Sequence, residues 1–180
     1  HLNHRGACGC EENTGDGAGI LIQVPDTLLR ARCEALGITL PPAGEYGVGC
    51  LFMDPDPGQQ EIAKALFEKF VAEEGQIFLG WRPLKTDNSK LGNSAKKLEP
   101  KMAHALVAAG KNIRDNDHFE RKLFVIRRRF ELAIGKSGVK QPGFFYFPSL
   151  SSRTLVYKGM LIPDQVEDYY SDDLRDPSLD

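Results

Sequence analysis

Several features that would assign the chain to a special class are missing from this sequence. No apolar stretch approaches the roughly 18 to 20 consecutive residues that a transmembrane helix needs. Only four cysteines occur in 180 residues, which excludes a disulfide-stabilised scaffold and favours a reducing compartment, the cytoplasm. The 23 Lys and Arg residues are balanced by 25 Asp and Glu residues, so the chain has no overall positive field for nucleic acid.

The sequence also has no internal repeat, no low-complexity segment and no signal-peptide pattern. Its first residue is His1 and its first methionine is Met53, so we expect a processed chain or a piece of a longer one. The hydrophobic share of 41% is sufficient for a packed core. Length and composition therefore predict a single globular domain with no internal boundary.

Helical and strand patterns alternate along the chain, which predicts a mixed α and β fold. Strands are expected at residues 17–24 (a buried strand), 46–53, 76–81, 144–150 and 154–158. Helices are expected at 25–36, from an Asp56 N-cap to a stop at Gly75, from an Asp117–Glu120 capping box through Phe130, and at 164–170. Residues 82–100 are expected to form a loop with at most one short turn of helix. The pattern of residues 101–109 fits a strand and a helix equally well. The acidic residues after 171 are expected to form an exposed connection.

Three ligand-binding signatures fail on spacing. The phosphate-loop pattern at Gly135 fails because Phe130 occupies the position of its first glycine. The alternating glycines before residue 20 fail as a dinucleotide fingerprint because Ile20 replaces the third glycine. Asp54 and Asp56 lack the other ligands of a calcium loop, so a proline-rich turn explains them better.

The cysteines form no metal-binding pattern of their own. Cys8 and Cys10 make one closely spaced pair, and Cys33 and Cys50 do not make a second. Thiolate metal sites usually combine two such pairs, so we favour loop or core cysteines over a zinc or cluster site. His4 lies near Cys8 in sequence, but proximity in sequence is weak support for a nucleophile and its base.

Residues 111–129 contain seven basic and three acidic side chains. A basic helix can follow a phosphate backbone, and this one is the basis for a nucleic-acid-binding hypothesis. The same pattern is typical of a solvated face opposite an apolar stripe, which runs here from Phe119 to Phe130. We favour the solvated face, with contact to an acidic surface of a neighbouring domain as a further possibility.

A turn with an arginine and several small residues stands near the start of the chain. His4-Arg5-Gly6 places a guanidinium beside backbone that a ligand can approach closely. The alternating glycines of residues 14–19 (TGDGAG) allow chain segments to pack against one another or against a substrate. By themselves these residues predict a tight loop that enters a strand, and they indicate no reaction.

Four blocks of the sequence together resemble a known family. HRGA at 4–7 with DGAGIL at 16–21 resembles the first block of the class II glutamine amidotransferases. The longer spacing between these two parts is similar to one branch, the amidotransferase domain of the large glutamate synthase subunit. LGWRP at 79–83 with TDNS at 86–89, FER at 119–121 with Arg127 and Arg128, and SLSSRT at 149–154 with VYKGML at 156–161 resemble further blocks of that branch. The blocks cover nearly the whole chain in the same order.

This resemblance implies an α+β fold of the N-terminal-nucleophile hydrolase type, a four-layer α/β/β/α sandwich, of which residues 1–180 would be an incomplete part of one domain. It implies that an N-terminal cysteine attacks the side-chain amide of glutamine and that hydrolysis of the thioester yields glutamate and ammonia. In the whole enzyme, ammonia would convert 2-oxoglutarate to glutamate with FMN, an iron–sulfur cluster, and NAD(P)H or ferredoxin. The implied partners are glutamine and the other synthase domains, with no nucleic acid and no membrane, in the cytoplasm or a plastid. Within this segment no cofactor and no metal ion are expected.

The resemblance also implies roles for single residues. Arg5 would orient the nucleophile end of the glutaminase site, the Gly6 backbone would lie against it, and Asp16 would support the loop. His1 precedes the HRG turn where a cysteine is expected, and no Asn-Gly pair for an oxyanion hole occurs in the sequence. We therefore expect this polypeptide alone to be inactive, and the alternative is a non-catalytic binding module that kept the fold.

Overall fold

A computed structural model describes residues 13–179 of the chain. The strands are β1 (Ala18–Gln23), β2 (Tyr46–Met53), β3 (Ile77–Pro83), β4 (Lys101–Ala108) and β5 (Thr154–Gly159). The α-helices are α1 (Asp26–Glu34), α2 (Pro57–Glu73), α3 (Asn93–Lys97), α4 (Asn116–Ala133), α5 (Gln165–Tyr169) and α6 (Ser171–Leu174). The strands form two antiparallel sheets, β2-β4-β3 and β1-β5, so the fold is a mixed α and β fold as expected.

Strands β2 and β4 of the three-stranded sheet are buried on both faces. Leu51 of β2 and Ala105 of β4 belong to a hydrophobic cluster with Phe67 of α2 and Phe130 of α4. Alternate residues such as Val48 belong to a second cluster with α1, β5 and α5. Since both faces of β4 are buried, its sequence is a continuous apolar run without a period of two, which explains why residues 101–109 fit strand and helix equally well.

The two long helices begin at aspartate N-caps. Asp56 accepts hydrogen bonds from the backbone N–H groups of Gly58 (2.8 Å) and Gln59 (3.2 Å), as the sequence predicts. The N-cap of α4 is Asp115, which accepts from the His118 N–H at 2.6 Å. The predicted capping box of Asp117 and Glu120 is therefore wrong, because the helix begins two residues earlier than that pattern indicates. The buried stripe of α4 from Phe119 to Phe130 is confirmed.

One prediction of burial near the start of the described chain is wrong. Strand β1 was expected to be buried, but Leu21 is 65% exposed. The described part of the chain provides β1 with one partner strand, β5, and leaves part of its surface uncovered. The first helix ends at Glu34, two residues before the predicted end, and Leu36 is 51% exposed in the turn that Gly37 completes.

Residues 144–150 do not form the predicted strand. This segment follows the free edge of β2 in the antiparallel direction and touches it through single bridges, Phe52 to Tyr146 and Val48 to Ser151. Pro148 lies between these bridges and has no N–H group to continue the ladder. The segment connects the three-stranded sheet to β5, which follows directly.

The acidic residues after 171 do not form an exposed connection. They begin with helix α6, and the side chain of Asp173 is buried against Arg82 of β3. The sequence pattern is misleading here because an acidic run normally stays in solvent, whereas this one contains a carboxylate with a buried basic partner. In the part of the chain that the structure describes, no helix is both long and apolar enough to cross a membrane.

The basic side chains of α4 are largely paired. Lys122 and Arg129 both donate to Glu74 of the α2 C-terminus, at 2.9 and 2.8 Å. Arg128 pairs with Glu131 on the same helix. These acidic partners reduce the positive field that phosphate binding would need, so the geometry favours a solvated, ion-paired helix face.

Candidate functional site

A cavity of about 710 Å³ lies where the two strands of the small sheet meet the loop around α3. Asp16 and Gly17 line it immediately before β1, and residues 158–161 line it at the end of β5. Two of the motif blocks, DGAGIL and VYKGML, therefore converge on one cavity. This convergence identifies the cavity as the candidate functional site.

The backbone at this site is packed too closely for side chains at two of the alternating glycines. A Cβ atom on Gly15 would lie 2.2 Å from the carbonyl oxygen of Leu161, and one on Gly19 would lie 2.5 Å from that of Tyr157. Both distances are far below van der Waals contact. The glycines are thus required for packing between chain segments, one of the two roles that the sequence suggests.

The chain that follows the HRG turn is anchored at Asn13. Its carbonyl oxygen accepts hydrogen bonds from the Gly92 N–H (3.0 Å) and from the Gln165 side-chain amide (3.1 Å). The same amide also donates to the carbonyl of Lys90, at 2.9 Å. Arg5 and Gly6, the site residues implied by the resemblance, lie outside the described residues, as do Cys8 and Cys10.

A half-buried hydrogen-bond network on one wall fixes the carboxylate of Glu99. It accepts hydrogen bonds from Tyr169 (2.8 Å), Asn88 (2.7 Å) and Thr86 (3.2 Å). Burial, and then the hydrogen bond to Glu99, raise the pKa of the Tyr169 hydroxyl, so this group remains a donor. Sequence reasoning missed Glu99 because its partners are spread from residue 86 to residue 169 and form no local spacing.

Aromatic rings and one cation line another wall. Tyr146 stacks on Phe52 with ring centroids 4.8 Å apart, and the Lys158 ammonium lies 5.5 Å from the Tyr146 centroid. Together with Asp16 and Glu99, these residues give the cavity apolar walls and charges of both signs. Such a lining suits a small polar molecule that carries both charges.

The described lining of the cavity contains no cysteine. Cys33 and Cys50 are buried in the second hydrophobic cluster. Burial raises the pKa of the Cys33 thiol to about 11 and also raises that of Cys50, so neither is a ready nucleophile. Among residues 13–179 no group of three or more His, Cys, Asp or Glu side chains is placed to hold a metal ion.

Comparison with known proteins identifies the family. The model of the class II glutamine amidotransferases matches residues 1–180. The large chain of the NADPH glutamate synthase of Bacillus subtilis is 41% identical over 171 residues, which cover 95% of this chain and 11% of that protein.

Two eukaryotic relatives show the same pattern. The NADH glutamate synthase of Schizosaccharomyces pombe is 36% identical over 96% of this chain and 8% of its own length. The chloroplastic ferredoxin-dependent glutamate synthase of Oryza sativa is 35% identical over 95% of this chain and 10% of its own length. The chain therefore spans about a tenth of the length of these relatives.

Proposed function

The chain belongs to the class II glutamine amidotransferases, and on that premise we propose that it is part of the glutaminase domain of a glutamate synthase. The observation that carries this proposal is the convergence of the DGAGIL and VYKGML blocks on one cavity lined by Asp16, Glu99 and Lys158. The relatives described above, which match at least 95% of the chain, are all glutamate synthases. A non-catalytic binding module has no support among them.

The proposed reaction is hydrolysis of glutamine to glutamate and ammonia. A cysteine thiol of the domain adds to the side-chain amide carbon, ammonia leaves, and water hydrolyses the thioester to release glutamate. The ammonia then supplies the nitrogen for conversion of 2-oxoglutarate to glutamate in another part of the protein. Glutamine carries an ammonium and a carboxylate group, which suits a cavity with charges of both signs.

We propose that Arg5 orients the end of the glutaminase site that holds the nucleophile, and that the Gly6 backbone lies against this end. The anchor at Asn13 supports this assignment, because it ties the chain seven residues after Gly6 to Gly92 and Gln165. Asp16 supports the loop at the mouth of the cavity. We further propose that the whole domain is a four-layer N-terminal-nucleophile sandwich, to which β1 and β5 contribute strands, and that residues 1–180 lie within this one domain.

The remaining machinery belongs, in this proposal, to other parts of the protein. The names of the relatives divide among NADPH, NADH and ferredoxin, and in this proposal the electron donor is determined by other parts of the protein. The described residues offer no ligand set for an iron–sulfur cluster. We place the FMN, the cluster and the synthase site in the partner domains, and the protein in the cytoplasm or a plastid.

The test is ammonia release from glutamine by the protein that contains these 180 residues. Substitution Arg5→Ala is expected to lower kcat/KM by about a hundredfold, because misplaced reacting groups lose alignment. Arg153→Ala is the matched control, since Arg153 is exposed and pairs with Asp117 on α4. Absence of glutamine hydrolysis in the unmodified protein, or equal effects of the two substitutions, would contradict the proposal.

A further inference from the structure

A buried ion pair lies at the junction of the two sheets, beside the candidate site. Arg82 of β3 is 4% exposed and Asp173 of α6 is 2% exposed. Both terminal nitrogens of Arg82 donate to the Asp173 carboxylate, with Nη1 to Oδ2 at 2.8 Å. Burial alone would favour the neutral forms, yet this pairing raises the pKa of Arg82 and lowers that of Asp173.

The pair has further partners on two other strands. The Tyr157 hydroxyl of β5 donates to Asp173 Oδ2 at 2.8 Å. Nη1 of Arg82 also lies 3.2 Å from Nδ1 of His104 on β4. One carboxylate on α6 is thus tied to the three-stranded sheet through Arg82 and to the two-stranded sheet through Tyr157.

The two tyrosines just before α6 connect this pair to the cavity. Tyr169 lines the cavity and donates to Glu99, which also lines it. Tyr170 donates to the backbone carbonyl of Lys158 at 2.6 Å and contacts Met102 Sδ at 3.2 Å. Glu99, Lys158 and Met102 all line the cavity, so the position of α5 and α6 determines the position of that wall.

We propose that Arg82 is a positioning residue for the candidate site, which holds α5 and α6 through Asp173 so that Tyr169 and Tyr170 set the cavity wall. Arg82 itself does not line the cavity. A guanidinium bound through two nitrogens fixes the orientation of its carboxylate partner, whereas an apolar pair of similar volume would fill the space without fixing an angle. The inference rests on the proposed function for the identity of the substrate, glutamine.

The test uses the protein that contains these 180 residues and the double substitution Arg82→Met with Asp173→Leu. This change removes both buried charges together and keeps most of the volume, so the fold is expected to persist. Glutamine KM should rise about tenfold with kcat changed less than about twofold, the pattern of lost substrate binding. Amide hydrogens of residues 165–175 should also exchange faster than they do in the unmodified protein, while those of α2 and α4 keep their exchange rates.

Two further variants separate positioning from general stability. Arg82→Lys keeps the positive charge but has one nitrogen where arginine binds the Asp173 carboxylate through two. This variant should also raise the KM for glutamine. Phe130→Leu removes volume from the other hydrophobic cluster at a residue that does not line the cavity, and it should lower Tm without changing KM.

The inference is overturned if the folded double variant keeps both its KM and its exchange pattern. It is also overturned if Phe130→Leu raises KM as much as the double variant does. Failure of the proposed function is a different result, because the unmodified protein would then release no ammonia from glutamine. In that case the exchange of residues 165–175 in the double variant and in Arg82→Lys decides whether Arg82 holds this wall.

Discussion

Glu120 of α4 holds the turn before β5 through Ser152. One carboxylate oxygen accepts hydrogen bonds from the Ser152 N–H at 2.6 Å and from the Ser152 hydroxyl at 2.7 Å. The Ser151 hydroxyl donates to the same carboxylate, at 3.0 and 3.1 Å. The FER block and the SLSSRT block of the sequence are therefore two halves of one contact, and that contact sets where β5 begins.

Substitution Glu120→Gln should destabilise the fold, because glutamine has only one acceptor oxygen. Its amide nitrogen would then face a serine donor that now meets the second carboxylate oxygen. We expect the free energy of unfolding to fall by about 1 to 3 kcal/mol, measured by urea denaturation. Glu131→Gln is the control, since Glu131 forms ion pairs within the surface of α4 and its loss should cost at most about 1 kcal/mol. Equal losses for the two variants would contradict the role of Glu120.

The sequence predicts those elements whose signals are local. Strand β2 has the predicted bounds 46–53, α2 begins at the predicted Asp56 cap, and the buried stripe of α4 follows helical spacing. The errors occur where distant residues decide the outcome. Pro148 interrupts the hydrogen-bond ladder that residues 144–150 would form with the edge of β2. Asp173 is buried because it pairs with Arg82, a residue that lies 91 positions away in the chain.

The candidate site shows the same limit. The motif blocks identify Asp16 and the stretch around Lys158, and the structure brings these residues to one cavity. The pattern contains no sign of Glu99, because its three donors come from a loop and from α5. Arg5 and Gly6 lie outside the described residues, so their roles stay predictions.

Substitution Gly15→Ala should be severely destabilising, because the added methyl group would overlap the carbonyl of Leu161 and the backbone there cannot move aside freely. We expect a loss of about 3 kcal/mol or more in the free energy of unfolding. Gly135→Ala is the matched control, since nothing lies within 4 Å of its added carbon, and it should change stability by at most about 1 kcal/mol. Similar denaturation midpoints for the two variants would show that the close approach at Gly15 is not required.

Cys33 and Cys50 should resist alkylation in the folded protein. Both thiols are buried, and burial raises their pKa values, so little thiolate forms near neutral pH. Treatment with iodoacetamide at pH 7.5, followed by mass spectrometry of the peptides, should show labelling of these two residues only after unfolding in urea. Rapid labelling of either cysteine in the native protein would contradict its buried position.

His104 should make stability depend on pH. Its ring is fully buried, and burial, then the Arg82 charge, lower its pKa to about 3. Because Nδ1 faces a donor of Arg82, the ring hydrogen lies on Nε2, which has no hydrogen-bond partner in the described structure. A proton added at acidic pH would have to enter a buried site beside a guanidinium.

The sign follows from the two states. In the unfolded chain the ring takes up a proton as pH falls below its ordinary value of 6.5, whereas in the folded chain it stays neutral until about pH 3. The unfolded state therefore binds more protons in this window, and the free energy of unfolding should fall with decreasing pH by up to about 1.4 kcal/mol per pH unit. Urea denaturation between pH 6.5 and 4.5 measures this slope. His104→Leu should flatten it, while His118→Gln, a change on the surface of α4, should leave it in place; a slope that His104→Leu does not reduce would assign the pH dependence to other groups.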